Sequence, residues 1–283
     1  MELIQATVET VAAKRLPWGE TLILPVGDLQ LGAPGADVDR FKWHIEWGVE
    51  HGAYFLGMGD YVDVASPSNR QALKAAHVYD SVEEAMEEVA ARAVEKFLSL
   101  TRGSEGRWLG LLEGHHYWPF MDGTTSDTRI ASALKAPFLG TCAFVRLRFA
   151  DKTKHRITCT IWCHHGEGSG AMQAAPLNKL ERIVTAFDAD VYLIGHYSRK
   201  SAAPMNRLYM TDGGSLKHKK LILAATGGFV KAYEQGSKVG GRARGGYAER
   251  GMMTPVALGA PVLYVRPARN KDGSARLDLN CEV

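Results

Sequence analysis

The chain is short of cysteine, of long apolar runs and of net charge. Its four cysteines (Cys142, Cys159, Cys163 and Cys281) stand in 283 residues. None shows paired metal-ligand spacing, so they read as reduced, mostly buried thiols rather than a zinc framework. No apolar run approaches the roughly 20 residues of a membrane-spanning helix. Residues 1–18 mix charges with short apolar stretches and lack the apolar centre of a signal peptide. The expectation is a cytoplasmic protein without a membrane partner. A net charge of +3 excludes a strong global pull toward nucleic acid or membrane. No internal repeat is visible. The 46% hydrophobic and 23% charged content is that of an ordinary globular chain able to bury a sizeable core. We expect a single domain over residues 1–283.

Against that plain background stands a spaced series of Asp/His clusters, each closing an apolar run. Val26-Gly27-Asp28-Leu29-Gln30 comes first, then Met58-Gly59-Asp60-Tyr61-Val62-Asp63. Leu112-Glu113-Gly114-His115-His116, Trp162-Cys163-His164-His165-Gly166 and Ile194-Gly195-His196 follow. Apolar runs ended by glycine and a polar residue read as buried strands meeting loops. Such strand ends gather ligands in open α/β sheets, and Asp and His converging there would make a metal site.

The same pass predicts strands over 21–26, 53–58, 108–112 and 190–194. Helices are predicted over 37–51, 81–100, 124–135 and 173–187. Ser81 with Glu84 reads as a capping box, and Glu83, Glu84, Glu87 and Glu88 as a solvated acidic face. Residues 144–149 and 156–163 read as a hairpin, and 261–267 and 275–281 as closing strands. Residues 198–260 read as a basic, loop-rich segment. Within them 236–251, rich in Gly and Arg, reads as a mobile loop, either a solvated surface or an anion-facing strap.

Taken in order, Asp-x-Gln, Gly-Asp-x-x-Asp, Gly-His-His, His-Gly and Gly-His resemble the motif series of the calcineurin-like metallophosphoesterases. The resemblance covers roughly residues 22–197. Thr226-Gly227-Gly228-Phe229 and Tyr247-Ala248-Glu249 look like segments of phage-type members. The resemblance implies an α/β fold: a two-sheet β-sandwich flanked by helices, here with a C-terminal basic Gly/Arg-rich extension. It implies metal ligands at Asp28, Asp60, His165 and His196, with Asp60 bridging two metals, a catalytic His116, and a supporting Asp63. Three departures stand out. Gln30 replaces a His, His115 an Asn and Ser198 a His; Tyr117 also replaces an acidic residue.

Sorted by metal, Asp60, His115, His165 and His196 form an imidazole-rich site. Asp28, Asp60 and Gln30 form an oxygen-rich one that would bind weakly. The expectation is one tight divalent metal and a second weak or absent. Mn is the first choice, with Zn, Fe or Mg as alternatives. Of His164 and His165, strand alternation lets one enter the site, and His165 matches the motif. The implied function is a phosphodiesterase or nuclease in which metal-activated hydroxide attacks phosphorus. Arg199, Arg242 and Arg244 are candidates to hold the phosphate, and a homo-oligomer is an open expectation. Two other readings stay open: a non-catalytic binding or assembly module, motivated by the three replacements, and a single-metal iron redox enzyme.

Overall fold

The computed structural model describes residues 9–10, 14–76, 79–151, 156–168, 170, 172–233, 235–236, 238–239, 241–243 and 247–283. Three strands run parallel on one side of the first sheet: β3 (Thr21–Val26), β4 (Tyr54–Gly57) and β5 (Trp108–Leu111). An antiparallel hairpin of β13 (Val262–Arg269) and β14 (Ala275–Glu282) completes it in the order β14-β13-β3-β4-β5.

The second sheet holds β1 (Glu9–Thr10), β2 (Lys14–Pro17), β6 (Cys142–Ala150), β7 (Arg156–His164), β8 (Val191–Ile194), β9 (Lys200–Met210) and β10 (Leu216–Thr226). Its order is β1-β6-β7-β8-β10-β9, with β2 also on β6. Here β7, β8 and β10 are parallel, and β6–β7 is the predicted antiparallel hairpin.

Alternation along the strands builds the layers. In β8, Val191 and Leu193 face the space between the sheets, with Ile23, Leu56, Val145 and Leu263. Tyr192 and Ile194 face outward onto Leu180 of α5 (Ala175–Ile183). On the first sheet, Leu24, Val26 and Phe55 meet α1 (Val38–Glu50), α3 (Asp80–Leu100) and α4 (Ser126–Ala133). Phe41 of α1 sits 5.5 Å from Phe97 and 5.2 Å from Phe229, ring centre to ring centre. The result is the expected two-sheet sandwich flanked by helices. No described helix is long and apolar enough to cross a membrane.

Three expectations are corrected. Helix α3 begins at Asp80 behind Tyr79, which makes no side-chain cap, so Ser81 and Glu84 do not form a capping box. The chain instead enters helix one residue before Ser81, leaving that hydroxyl inside the first turn. Residues 200–226, expected as loop, form the long β9–β10 hairpin. The 236–251 stretch contains a short pair, β11 (Lys238–Val239) with β12 (Arg242–Ala243), and the single turn α6 (Tyr247–Arg250). Helix α2 (Pro67–Ala75), capped by Ser66, was not foreseen.

Candidate metal centre

The parallel strands of both sheets end at one edge of the sandwich, and the Asp/His clusters lie on the loops that leave them. Asp28 and Gln30 follow β3, Asp60 and Asp63 follow β4, and His115 and His116 follow β5. His165 follows β7, and His196 follows β8. The loops after the neighbouring strands β3 and β4 are tied together: Asp28 N–H donates to Gly59 O at 3.0 Å, and Gln30 N–H to Asp60 O at 2.9 Å.

Backbone strain concentrates here. Asp28, Gln30, Asp60, His196 and Ser198 all take positive φ, between 48° and 67°. Each such non-glycine residue costs of order 1–3 kcal/mol and persists only where its surroundings hold it. Glycines make the close crossings possible. A Cβ on Gly114 would collide with the backbone N and Oδ1 of Asp60, and one on Gly59 would meet His165 Nδ1 at 2.5 Å. The Gly227-Gly228-Phe229 segment serves the same purpose beneath Asp28. Phe229 N–H donates to Asp28 O at 2.9 Å, and a Cβ on Gly228 would sit 2.9 Å from Asp28 Cβ.

Asp60, His115, His165 and His196 present one ligand atom each, all within 4.8 Å of one another. Asp60 is 1% exposed, and its Oδ1 accepts from His115 N–H at 2.5 Å and His116 N–H at 2.9 Å. Burial would raise its pKa, but His165, His116 and these N–H groups outweigh burial and hold the carboxyl below its usual range.

His165 shares a 2.6 Å hydrogen bond between Nδ1 and Met58 O. A carbonyl cannot donate, so Nδ1 carries a proton and Nε2 turns to the site. That Nε2 stands 3.4 Å from Asp60 Oδ2 and makes no hydrogen bond among the described residues. Burial pushes the His165 pKa down, yet the Asp60 and Asp28 carboxyls carry it up to about 9. His196 repeats the device: its Nε2 lies 2.8 Å from Gly168 O, which leaves Nδ1 facing His115 Nδ1 at 3.2 Å. Burial and the neighbouring His165 lower the His115 pKa to about 4 and lower that of His196.

Asp28 is fully buried. Its Oδ2 accepts His196 N–H at 2.9 Å, while Oδ1 has no hydrogen-bond partner among the described residues. Burial, then the Asp60 charge, raises its pKa to about 7. Two orphaned buried atoms, Asp28 Oδ1 and His165 Nε2, beside an Asp/His₃ donor set are what a divalent cation would satisfy. The residues fit that group.

Beside the cluster, His116 Nδ1 lies 3.1 Å from Asp63 Oδ1. Burial lowers the His116 pKa, but Asp63 and Asp60 outweigh it and the net shift is upward.

The remaining candidates lie differently. Gln30 joins the site through its backbone. His164 accepts Gly166 N–H on Nδ1 at 2.7 Å and faces Trp162 at a ring-centre distance of 5.9 Å, outside the cluster as expected. Arg199 is corrected as a substrate contact. It is 7% exposed, and its guanidinium donates to the carbonyls of Gly170 at 2.5 Å and Met172 at 2.9 Å. Those bonds spend it on loop closure. Arg242 is exposed on β12, and Arg244 lies outside the described residues.

Sequence reasoning missed two residues. Asp127 of α4, 1% exposed, accepts Gly114 N–H on Oδ2 at 3.0 Å; burial raises its pKa to about 7. Arg70 of α2 donates to His115 O at 2.8 Å and to Tyr117 O. Neither matches a motif position.

No family model matches the chain, and neither does any curated protein. Solved structures do align. Vps29 from Chaetomium thermophilum covers 92% of this chain and 95% of its own, at 12% identity and a TM-score of 0.35. A predicted phosphoesterase from Streptococcus pneumoniae TIGR4 covers 92% and 98%, at 10% identity and 0.33. The calcineurin-like phosphoesterase YfkN from Bacillus subtilis covers 93% and 90%, at 11% and 0.36. At such values neither fold nor activity passes from them to this chain.

Proposed function

We propose that this chain is a metal-dependent phosphoesterase of the calcineurin-like kind, acting on phosphodiesters, with one firmly held divalent cation. The observation that carries the reading is the convergence of Asp60, His115, His165 and His196 within 4.8 Å, with His116 held against Asp63 beside them. Asp60, His165, His196 and His115 would hold the cation. When bound, it supplies Lewis acidity to a phosphoryl oxygen and lowers the pKa of water.

The chain's own groups divide the remaining work. Met58 O and Gly168 O fix the tautomers of His165 and His196, so that each offers a neutral ring nitrogen. Asp63 engages His116 Nδ1 and leaves Nε2 to meet the substrate. The upward shift of the His116 pKa favours its protonated form. It is thus a proton donor for the leaving oxygen, a role worth about 10²–10⁴-fold. Charge favours a diester over a monoester: a single cation flanked by Asp28 and Asp60 balances a monoanion better than a dianion. The native metal on this reading is Mn, because a mixed Asp/His site beside an oxygen-rich neighbour suits it.

The test is hydrolysis of bis(p-nitrophenyl) phosphate by the full chain with added Mn²⁺, wild type against His116→Ala. Metal-dependent turnover that drops at least about 100-fold in the variant is the expected result. No turnover by a metal-loaded wild type rejects the diesterase and leaves a binding or assembly module. Steeply salt-dependent DNA binding would extend the reading to a nuclease.

A further inference from the structure

We propose that Arg70 and Asp127 are positioning residues that grip the 114–117 loop from two sides and thereby set how tightly His115 holds metal; this rests on the metal-site reading above. The loop differs from the other site loops in what shapes it. Its polar backbone groups are satisfied mainly by side chains. Gly114 N–H goes to Asp127, and His115 N–H and His116 N–H go to Asp60. The carbonyls of His115 and Tyr117 accept from Arg70, and Trp118 N–H goes to Ser126 Oγ at 3.0 Å. A loop held this way has no ladder to fall back on when one side chain is removed.

Each grip has a structure that only the loop explains. Among the described residues no cation pairs with Asp127, although it is 1% exposed. A buried carboxylate without a counter-ion is costly. Asp127 fills its acceptor sites with Gly114 N–H on Oδ2 and with the Ser126 hydroxyl on Oδ1 at 3.1 Å. Helix α4 is fixed for the task by the reciprocal cap between Thr125 and Thr128. On the other side, α2 is exposed along most of its length, so packing does not account for it. Its Arg70 reaches the loop with both terminal nitrogens and stacks 4.3 Å from the centre of the Tyr117 ring. A planar fork on two carbonyls with an aromatic face beneath it is a geometry lysine does not reproduce.

His115 is the ligand that depends on this. His165 and His196 are fixed by their own ring hydrogen bonds to carbonyls, whereas the hydrogen bonds to His115 besides its contact with His196 run through its backbone. Partners that orient a metal ligand typically contribute 10–100-fold in affinity.

The experiment is calorimetric titration of Mn²⁺ into the metal-free full chain, comparing wild type, Arg70→Met, Asp127→Ala, Asp127→Asn and Leu147→Ala. Arg70→Met and Asp127→Ala should each weaken Mn²⁺ binding about 10–100-fold. Asp127→Asn keeps an oxygen that can accept Gly114 N–H, so it should bind closer to wild type. Leu147→Ala lowers stability through the inter-sheet core and should leave affinity unchanged, which separates positioning from mere destabilisation. If Asp127→Ala does not fold, Arg70→Met on its exposed helix still decides. Wild-type affinity in Arg70→Met overturns the inference while leaving the metal site standing. A wild type that takes up no Mn²⁺ overturns the metal-site reading itself.

Discussion

The two halves of the site share a backbone and differ in side chains. In one half, His165, His196, His115 and Asp60 supply three imidazoles and a carboxylate. In the other, Asp28 stands with Gln30 and Ser198, neutral groups that bind divalent metals weakly. Yet Gln30 and Ser198 hold the same left-handed φ, 48° and 51°, as Asp28 and His196 at 50° and 67°. Strain of this kind persists where the surroundings enforce it. On the metal-site reading proposed above, the backbone of the second half has the shape of ligand positions that its side chains do not fill. Geometry and chemistry have parted at these two positions, and affinity should follow chemistry.

The hardest test of that contrast is to remove one group from each half. His165→Ala deletes a proposed ligand whose second ring nitrogen is already committed to Met58 O. It should weaken Mn²⁺ binding by more than about 100-fold, beyond the range that outer partners cost. Asp28→Ala deletes a group that orients His196 through its N–H, and should fall within about 10–100-fold. Equal losses in calorimetry would break the comparison, since they would make Asp28 a ligand of the same rank.

What the sequence made legible follows the same division. Elements with a strong apolar period could be read: β3, α1 behind its Asp37 cap, and the β6–β7 hairpin all lie within a few residues of expectation. The clusters at Asp28, Asp60, His115, His165 and His196 were visible because each closes a buried strand. The β9–β10 hairpin was hidden because β9 is an edge strand with Pro204 inside it, and the outer half of β10, Leu216–Lys220, is mostly exposed and, after Leu216, polar. Pattern reading needs a buried face, and these residues have none. Arg199 was misread because a buried guanidinium satisfied by carbonyls looks like any surface arginine in one dimension. Asp127 and Arg70 act on backbone atoms of a distant loop, and no spacing rule records that. The one local signal near Asp127 is the Thr125-x-x-Thr128 cap that starts α4.

If positions 30 and 198 lack only chemistry, supplying it should sharpen the contrast into equality. Gln30→His with Ser198→His places imidazoles on backbones already in the conformation of their neighbours. The double variant should bind a second Mn²⁺ per chain, tighter than any second event in wild type by about tenfold or more, roughly 1.4 kcal/mol. Stoichiometry by calorimetry checks it. A double variant that folds and still binds one ion would mean that the strained backbone at 30 and 198 serves the crossing of loops rather than a ligand position.

The smallest effect is on stability, and its sign comes from the imidazole half. In metal-free protein the His165 pKa is raised to about 9 from the ordinary imidazole value of 6.5, so the folded state binds the proton more tightly than the unfolded chain. That contribution is fully present below pH 6.5 and is lost as pH rises toward 9. His116, also raised, acts in the same direction. Asp28, raised to about 7, adds a tail of the same sign at the lower end of the window. His115 and His196 are lowered, and they oppose the trend only as pH falls through 6.5. The apo-protein should therefore melt on the order of 5 °C lower at pH 8.5 than at pH 6.5. A bound cation requires these rings neutral and repays their deprotonation, so the Mn²⁺-loaded protein should lose that slope or reverse it. Thermal melts at the two pH values, with chelator and with Mn²⁺, separate the cases. An apo-protein more stable at pH 8.5 would mean that His165 is neutral in the fold, and that Asp60 alone carries the charge of the imidazole half.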